Sequence, residues 1–138
     1  MISFTSILNS CKRSDIMFNS ETSTSDGWKI SIQGKCVEDA VFLFNALDSF
    51  LRYNEIPFKV ATKKRLSSGN VEQSRKAMTI YCPNNLDVSI LAEDVYGLIT
   101  SYKGWYDVKT PTSYSHYAGG LFIRNDRING QYIPAKLC

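Results

Sequence analysis

Apolar and polar residues alternate along three short stretches of the chain, which is the pattern of half-buried β-strands. The three stretches are Trp28–Gln33, Phe58–Ala61 and Ala77–Cys82. In the first, Lys29 and Ser31 share the face opposite Trp28, and in the second Lys59 lies opposite its apolar neighbours. The alternation therefore predicts three core strands, two of which carry a lysine on their polar side.

Two longer segments repeat apolar residues at intervals of three and four, which is the spacing of an amphipathic helix. The first is Cys36–Asn54, with Glu38 and Asp39 in its first turn, where the helix dipole favours negative charge. The second is Leu86–Tyr102. It follows Pro83-Asn-Asn85, which turns the chain and offers an asparagine N-cap.

The remaining segments are polar or rich in turn-forming residues. Residues 1–25 contain seven serines, three threonines and two asparagines. We expect a partly ordered polar segment there, with a short apolar element at Met1–Leu8 and a loop at Asn19–Ser25. Thr62–Gln73 is polar and basic, which predicts a turn or short helix followed by a loop, and Pro111–Gly120 is a second predicted loop.

A fourth strand and a hairpin complete the predicted order of elements. The strand is Trp105–Val108, and the hairpin joins Leu121–Ile123 to Tyr132–Ile133 through Asn129-Gly130, a pair typical of hairpin turns. The order β-α-β-β-α-β predicts an α+β sandwich with helices packed on a mostly antiparallel or mixed sheet. We expect residues 26–138 to form this single domain.

Composition and length are typical of a single globular domain. The chain has 138 residues, of which 43% are hydrophobic and 21% charged, as expected for one globular domain. It has no apolar run of the roughly 18 residues that cross a bilayer, and no signal peptide is predicted, so we expect a cytoplasmic protein without a membrane partner. A net charge of +3 does not by itself predict nucleic-acid binding.

The cysteines do not predict a metal site. Cys11, Cys36, Cys82 and Cys138 are far apart in sequence, and the chain has a single histidine. Reduced thiols, with neither a metal nor a cofactor, are the expectation for an intracellular protein.

Cationic side chains mark the predicted strands as the candidate site. Lys29, Lys59 and Lys76 each lie on or beside a core strand. Four further cations, Lys63, Lys64, Arg65 and Arg75, lie between the second and third of these lysines, and Glu72 alone opposes them in that span. Such a cluster suits phosphate, although a solvated basic surface is the simpler alternative. A lysine that burial desolvates can also act as a general base.

Four segments resemble, in order and spacing, a known enzyme domain. They are Gly27-Trp-Lys-Ile-Ser-Ile32, Ile56-Pro-Phe-Lys-Val60, Lys76-Ala-Met-Thr-Ile-Tyr81 and His116-Tyr-Ala-Gly-Gly-Leu-Phe122. The domain is the N-terminal phosphoserine/phosphothreonine lyase domain of class III and IV lanthionine synthetases, which is distantly similar to the phosphothreonine lyases that bacteria use as effectors. The resemblance covers about residues 26–138.

The resemblance implies roles for individual residues. Lys59 matches the general base, Lys29 a cation near the substrate phosphate or carbonyl, and Tyr81 an orienting residue. Lys29 and Lys76 would bind the phosphate. The other phosphate-binding candidates are Arg75, His116 and Arg124.

Two positions depart from the pattern of that family. Ser31 stands where the family has a histidine that acts as general acid, and Ala118 stands where it has an arginine. Loss of the acid alone lowers a rate by roughly 10²–10⁴-fold. We therefore expect a stand-alone, degenerate lyase-like domain that binds a protein or a phosphorylated ligand, for example as an inhibitor of a host factor.

Two alternatives remain open from the sequence. One is an active lyase that removes phosphate from a phosphorylated peptide by β-elimination. The other is single-stranded nucleic acid as the ligand, which the mixture of Tyr, Arg and Lys would suit, but the sequence contains no known nucleic-acid motif.

Overall fold

The computed structural model describes residues 2–20, 27–105, 107–128 and 131–132, in which helices and strands alternate along most of the chain. The helices are α1 (Phe4–Ser10), α2 (Val37–Tyr53), α3 (Lys63–Leu66), α4 (Val71–Ser74) and α5 (Val88–Leu98). The strands are β1 (Asp15–Phe18), β2 (Trp28–Gln33), β3 (Phe58–Ala61), β4 (Lys76–Tyr81), β5 (Ser115–Ala118), β6 (Leu121–Asn125), β7 (Arg127–Ile128) and β8 (Gln131–Tyr132).

Six strands form one sheet in the order β1-β3-β4-β2-β6-β5, and β7 pairs with β8 in a small second sheet. Every described pairing is antiparallel. The predicted α+β class is confirmed, and the sheet is antiparallel rather than mixed. β2, the first predicted core strand, lies inside the sheet between β4 and β6.

The core lies between one face of the sheet and the two long helices. Ile30 lies opposite Ile80 on one side and Ile123 on the other, so the apolar positions of three neighbouring strands line up. α2 contacts β3 and β4, and α5 contacts β2 and β6. Three leucines of α2, Leu43, Leu47 and Leu51, are fully buried. Each such side chain contributes about 1.5–3 kcal/mol when it leaves water.

The helix ends follow from local chemistry. Asp87 is the N-cap of α5, and its carboxylate accepts hydrogen bonds from the backbone N–H groups of Ser89 and Ile90. The predicted asparagine cap is therefore wrong by a few residues, and α5 is shorter than the predicted Leu86–Tyr102. α2 begins one residue after the predicted start and ends one residue before the predicted end.

The N-terminal segment contains two elements. β1 pairs with β3, and the fully buried Leu8 anchors α1 to the core. The ring of Phe18 stacks on that of Phe58 with centroids 4.9 Å apart. This packing holds β1 at the edge of the six-stranded sheet.

Two loops differ from their predictions. The described residues of Trp105–Val108 form no strand, whereas β5 lies within the predicted loop Pro111–Gly120. The indole of Trp105 instead donates a hydrogen bond to the carbonyl of Gln33 at 2.9 Å, so its apolar ring anchors a loop. Two short helices, α3 and α4, occupy the predicted turn and loop at Thr62–Gln73.

Several predictions fall partly or wholly outside the described residues. These are most of the loop at Asn19–Ser25, the Asn129-Gly130 turn and Cys138. Among the helices that the structure describes, none has both the length and the apolar character needed to cross a membrane.

Candidate functional site

The face of the sheet away from α2 and α5 carries buried polar side chains, and we call it the polar face. Alternation along the strands places Lys29, Ser31 and Gln33 of β2 there, with Thr79 of β4 and Arg124 of β6 on either side. Apart from Lys29, each of these residues is almost fully buried. Buried polar groups need partners, so this face demands either internal pairing or a polar ligand.

A register shift brings Lys76 to the polar face. Ile32 pairs with Met78, but the next residue, Gln33, pairs with Lys76, so Ala77 has no partner across the strand pair. Strict alternation would place Lys76 on the same face as Met78, in the core. The extra residue reverses this and directs the lysine to the side of Lys29.

Lys29 and Lys76 meet at one aromatic ring. Their ammonium groups lie 5.7 Å and 4.9 Å from the centroid of the Tyr114 ring. Burial and, as the next largest effect, the charge of Lys29 lower the pKa of Lys76 to about 8. Burial also lowers the pKa of Lys29, against the opposing effect of Asp126. Both amines therefore lose their protons more readily than an ordinary lysine.

Lys59 reaches the same region from β3. Its ammonium group lies 3.6 Å from the carboxylate of Asp15, which also binds the guanidinium of Arg65 at 2.7 Å. The ring of Tyr81 lies 5.9 Å from the same ammonium group. The charge of Lys59 acts on Lys76, which places the three lysines in one electrostatic cluster.

Asp126 closes the opposite side of the cluster. Its carboxylate lies 3.0 Å from the Lys29 ammonium and 3.2 Å from the Arg124 guanidinium. Lys29 and Arg124 face each other across β2 and β6, so one carboxylate holds two cations from neighbouring strands. The cations are thereby fixed in position before any ligand arrives.

A loop between α5 and β5 borders the polar face, and three side chains from the sheet side hold it. The side-chain amide of Gln33 hydrogen bonds to both backbone groups of Lys109. Arg75 donates to the carbonyl of Asp107 at 2.6 Å and lies 3.5 Å from its carboxylate. Glu72 accepts hydrogen bonds from the backbone N–H and the hydroxyl of Thr112. Burial opposes ionisation of Glu72, but the Thr112 bonds lower its pKa overall.

Ser31 lies at the floor of the cluster. It is fully buried between Thr79 and Phe122, and its hydroxyl oxygen has no hydrogen-bond partner among the described residues. An unpaired buried hydroxyl costs about 1–3 kcal/mol, which a polar ligand group would recover. This group therefore suits a ligand atom that accepts or donates a hydrogen bond.

The structure places the other predicted residues around this cluster. Tyr81 lies opposite Lys29 in the register of β2 and β4. His116 is exposed, its ring lies 5.1 Å from that of Phe122, and its Nε2 lies 2.8 Å from the carbonyl of Gly119. Arg75 contacts the loop at Asp107 instead of the three lysines. The roles of Arg75 and His116 in phosphate binding stay predictions, as do the roles of the other candidate residues.

Three residues of the cluster were not candidates from the sequence. Asp126 continues the alternation of Phe122 and Arg124, so the period of two already pointed to it. Asp15 lies in a segment whose composition gave no indication of a strand. Tyr114 lies in a loop, where no periodicity predicts the direction of a side chain.

The cluster has an excess of positive charge. Lys29, Lys59, Lys76, Arg65 and Arg124 contribute five cations, and Asp15, Asp126 and Glu72 contribute three carboxylates. Two positive charges are thus left without an internal counter-charge, which suits an anion of charge two such as a phosphate monoester. No described group of three or more His, Cys, Asp or Glu side chains is placed to hold a metal ion.

Comparisons with known proteins identify solved structures with a similar fold. No family model matches the sequence, and no curated protein matches it. The structure is similar to that of the type III effector and phosphothreonine lyase OspF from Shigella flexneri, with a TM-score of 0.61, 15% identity, and coverage of 83% of this chain and 66% of that one.

A second similar structure is that of the phosphothreonine lyase SpvC, an effector from Salmonella. The TM-score is 0.56 at 16% identity, with coverage of 83% of this chain and 64% of that one. The chain thus spans slightly less than two thirds of the length of both solved structures. At this identity the likeness establishes the fold alone, and the link to lanthionine synthetases stays a prediction.

Proposed function

We propose that the polar face binds a phosphorylated segment of a partner protein and that elimination of the phosphate there is weak or absent. The observation that carries the proposal is the convergence of Lys29, Lys59 and Lys76 on one buried face. The cluster that they form with Arg65 and Arg124 has two more positive charges than it has carboxylates. Phosphate is bound most strongly through charge-assisted hydrogen bonds, and partly buried amines can donate such bonds.

The weakness of the catalysis rests on Ser31 and Ala118. β-Elimination needs a group that protonates the leaving phosphate oxygen, and a serine hydroxyl is a poor acid near neutral pH. Ser31 still offers its buried hydroxyl as a hydrogen-bond donor to that oxygen. A domain that holds a phosphorylated segment without processing it would block access of other proteins to it, which is how an inhibitor of a host factor would act.

The alternative is an active phosphoserine/phosphothreonine lyase, and the lowered pKa values of Lys29 and Lys76 favour it. A neutral amine would remove the proton on Cα. The electrons of that bond would form the Cα=Cβ double bond, the Cβ–O bond would break, and phosphate would leave with both electrons. The resemblance assigns the base to Lys59, and the lowered pKa values make Lys29 and Lys76 further candidates.

Binding is tested with fluorescent peptides that contain phosphoserine or phosphothreonine and with their unphosphorylated counterparts. Fluorescence anisotropy is expected to show saturable binding of the phosphopeptides only. Lys29→Gln and Lys76→Gln should each weaken it at least about tenfold, because each removes a charge-assisted hydrogen bond. The matched control is Lys103→Gln, an exposed lysine on the loop after α5, which should bind as the wild type does.

Catalysis is tested by mass spectrometry of the same peptides after incubation. Loss of phosphoric acid that disappears in Lys59→Ala would establish the lyase in place of the binding domain. No product, together with stable phosphopeptide binding, is the result that we expect. Absence of both binding and product would contradict both functions.

A further inference from the structure

Four exposed cations lie together where the start of β1 meets α3 at the edge of the sheet, and we call them the basic patch. They are Lys12, Arg13, Lys63 and Lys64. The first two precede β1 and the last two begin α3, about fifty residues later. Specific bonds hold the two segments together, since Lys64 donates to the carbonyl of Lys12 at 3.1 Å and the hydroxyl of Thr62 donates to that of Arg13.

The charge of the basic patch has no paired carboxylate among the described residues. None of its four cations forms an ion pair with a carboxylate in the part of the chain that the structure describes. Asp15, the carboxylate beside it, is shared by Lys59 and Arg65. Lys35 and Glu38, which line a cleft with Lys63, have opposite charges and offset each other. Like charges that lie side by side repel, and a bound anion would relieve that repulsion.

The basic patch is continuous with the cluster on the polar face. Arg65 follows Lys64 in α3, and its guanidinium binds Asp15, which in turn binds Lys59. Consider a peptide whose phosphate lies among the lysines of the polar face. In extended form it spans about 3.3 Å per residue, so a few residues next to the phosphate would extend past Arg65 to the basic patch. The side chains next to the phosphate would then lie over the patch.

We infer that the phosphorylated partner carries acidic residues beside its phosphate and that the basic patch binds them. The inference rests on the proposed function, because the phosphate sets the position of the peptide. A protein partner fits better than a nucleic acid, since Cys11–Ser14 and Lys63–Leu66 contain no aromatic residue on which bases would stack.

The test uses phosphothreonine peptides that differ only beside the phosphate. One carries three glutamates before it, a second carries them after it, and a third carries glutamines in both places. One of the two acidic peptides should bind the wild type about tenfold more tightly than the glutamine peptide, as expected for several exposed ion pairs. The advantage should shrink in high salt, which screens exposed charges.

The variants separate the basic patch from the phosphate site. The double variant Lys12→Gln with Lys63→Gln leaves intact the hydrogen bond from Lys64 to the backbone carbonyl of residue 12. It should reduce the preference for the acidic peptide over the glutamine peptide to about threefold or less. Binding of the glutamine peptide should stay unchanged, which shows that the phosphate site is intact. Lys103→Gln is the control for loss of one exposed positive charge and should keep the full advantage. Urea unfolding should show equal or greater stability of the double variant, because repulsion is relieved.

The outcomes are distinguishable. Equal binding of all three phosphopeptides by the wild type would overturn the inference and leave the proposed function intact. Binding of none of them would overturn the proposed function and the inference with it. Tighter binding of a single-stranded oligonucleotide than of either acidic peptide, lost in the double variant, would overturn the assignment of a protein partner.

Discussion

Lys76 shows how one residue can change the chemistry of a strand. The unpaired Ala77 moves the lysine to the polar face, where burial and Lys29 lower its pKa to about 8. The charged form is thus held in an environment that disfavours it until an anion arrives. A bound phosphate dianion would stabilise the ammonium group and raise its pKa above about 8.

Affinity for a phosphopeptide should therefore fall as the pH rises through the pKa of free Lys76. Below about pH 8 the lysine is already charged and binding is at full strength, while above it binding requires the uptake of a proton. The phosphate itself, with a pKa near 6, stays dianionic in this range. Between pH 7 and pH 9 we expect a loss of about tenfold, measured by anisotropy.

The substitution Lys76→Arg should flatten this profile, because arginine stays charged throughout the range. Lys103→Arg is the control and should keep the wild-type profile. A wild-type affinity that does not change between pH 7 and pH 9 would refute this account of Lys76.

At the level of elements, the turn between β5 and β6 depends on contact with Trp105. Gly119 has a φ of +53°, in the left-handed region that favours glycine. A Cβ atom added there would lie 2.5 Å from the indole ring, and one added at Gly120 would lie 2.2 Å from its Nε1. The close approach of backbone to ring also aligns the indole N–H with the carbonyl of Gln33, which joins this turn to the last residue of β2.

Gly119→Ala should lower the free energy of unfolding by about 1–3 kcal/mol, because it adds both backbone strain and a steric clash. The matched control is Gly97→Ala in α5, where an added Cβ has nothing within 4 Å. That change should raise the stability by about 0.5–1 kcal/mol through helix propensity. Urea denaturation of both variants measures the difference, and equal effects of the two substitutions would contradict the role of the contact.

Across the whole molecule, the N-terminal segment is joined to the core by aromatic and aliphatic packing. The ring of Phe4 lies 4.2 Å from that of Phe44, and Leu8 is fully buried. The same segment supplies Asp15 to the cluster on the polar face and Lys12 to the basic patch. Core packing at α1 is thus coupled to the position of charged groups around the site.

Leu8→Ala should destabilise the protein by about 2–5 kcal/mol, the range for loss of a fully buried leucine. Its neighbour in the same helix, Ile7, is 40% exposed, and Ile7→Ala should cost about 1 kcal/mol or less. Thermal and urea unfolding provide the measurement. Equal small effects at both positions would show that α1 contributes little to the core.

Local periodicity was sufficient to predict the two long helices and three strands of the sheet, β2, β3 and β4. β2 and β3 lie at the residues that alternation predicted, and α2 lies within one residue of its prediction at each end. These features are encoded locally, because burial of one face of a helix or strand leaves a repeating pattern in the sequence. The weak four-residue pattern at Trp105–Val108 failed, because a tertiary contact of the Trp105 indole, which a local pattern cannot reveal, holds that residue against Gln33 instead of in a strand.

The sequence by itself determined which side chains of each core strand are polar and which helices cover the sheet. Only the tertiary structure decided that Lys29, Lys59 and Lys76 converge, that Asp15 and Asp126 hold cations beside them, and that Ser31 lies unpaired beneath them. The physical reason is that periodicity describes one element at a time. Strand order, the register shift at Ala77 and the direction of loop side chains depend on the packing of residues that are far apart in the chain.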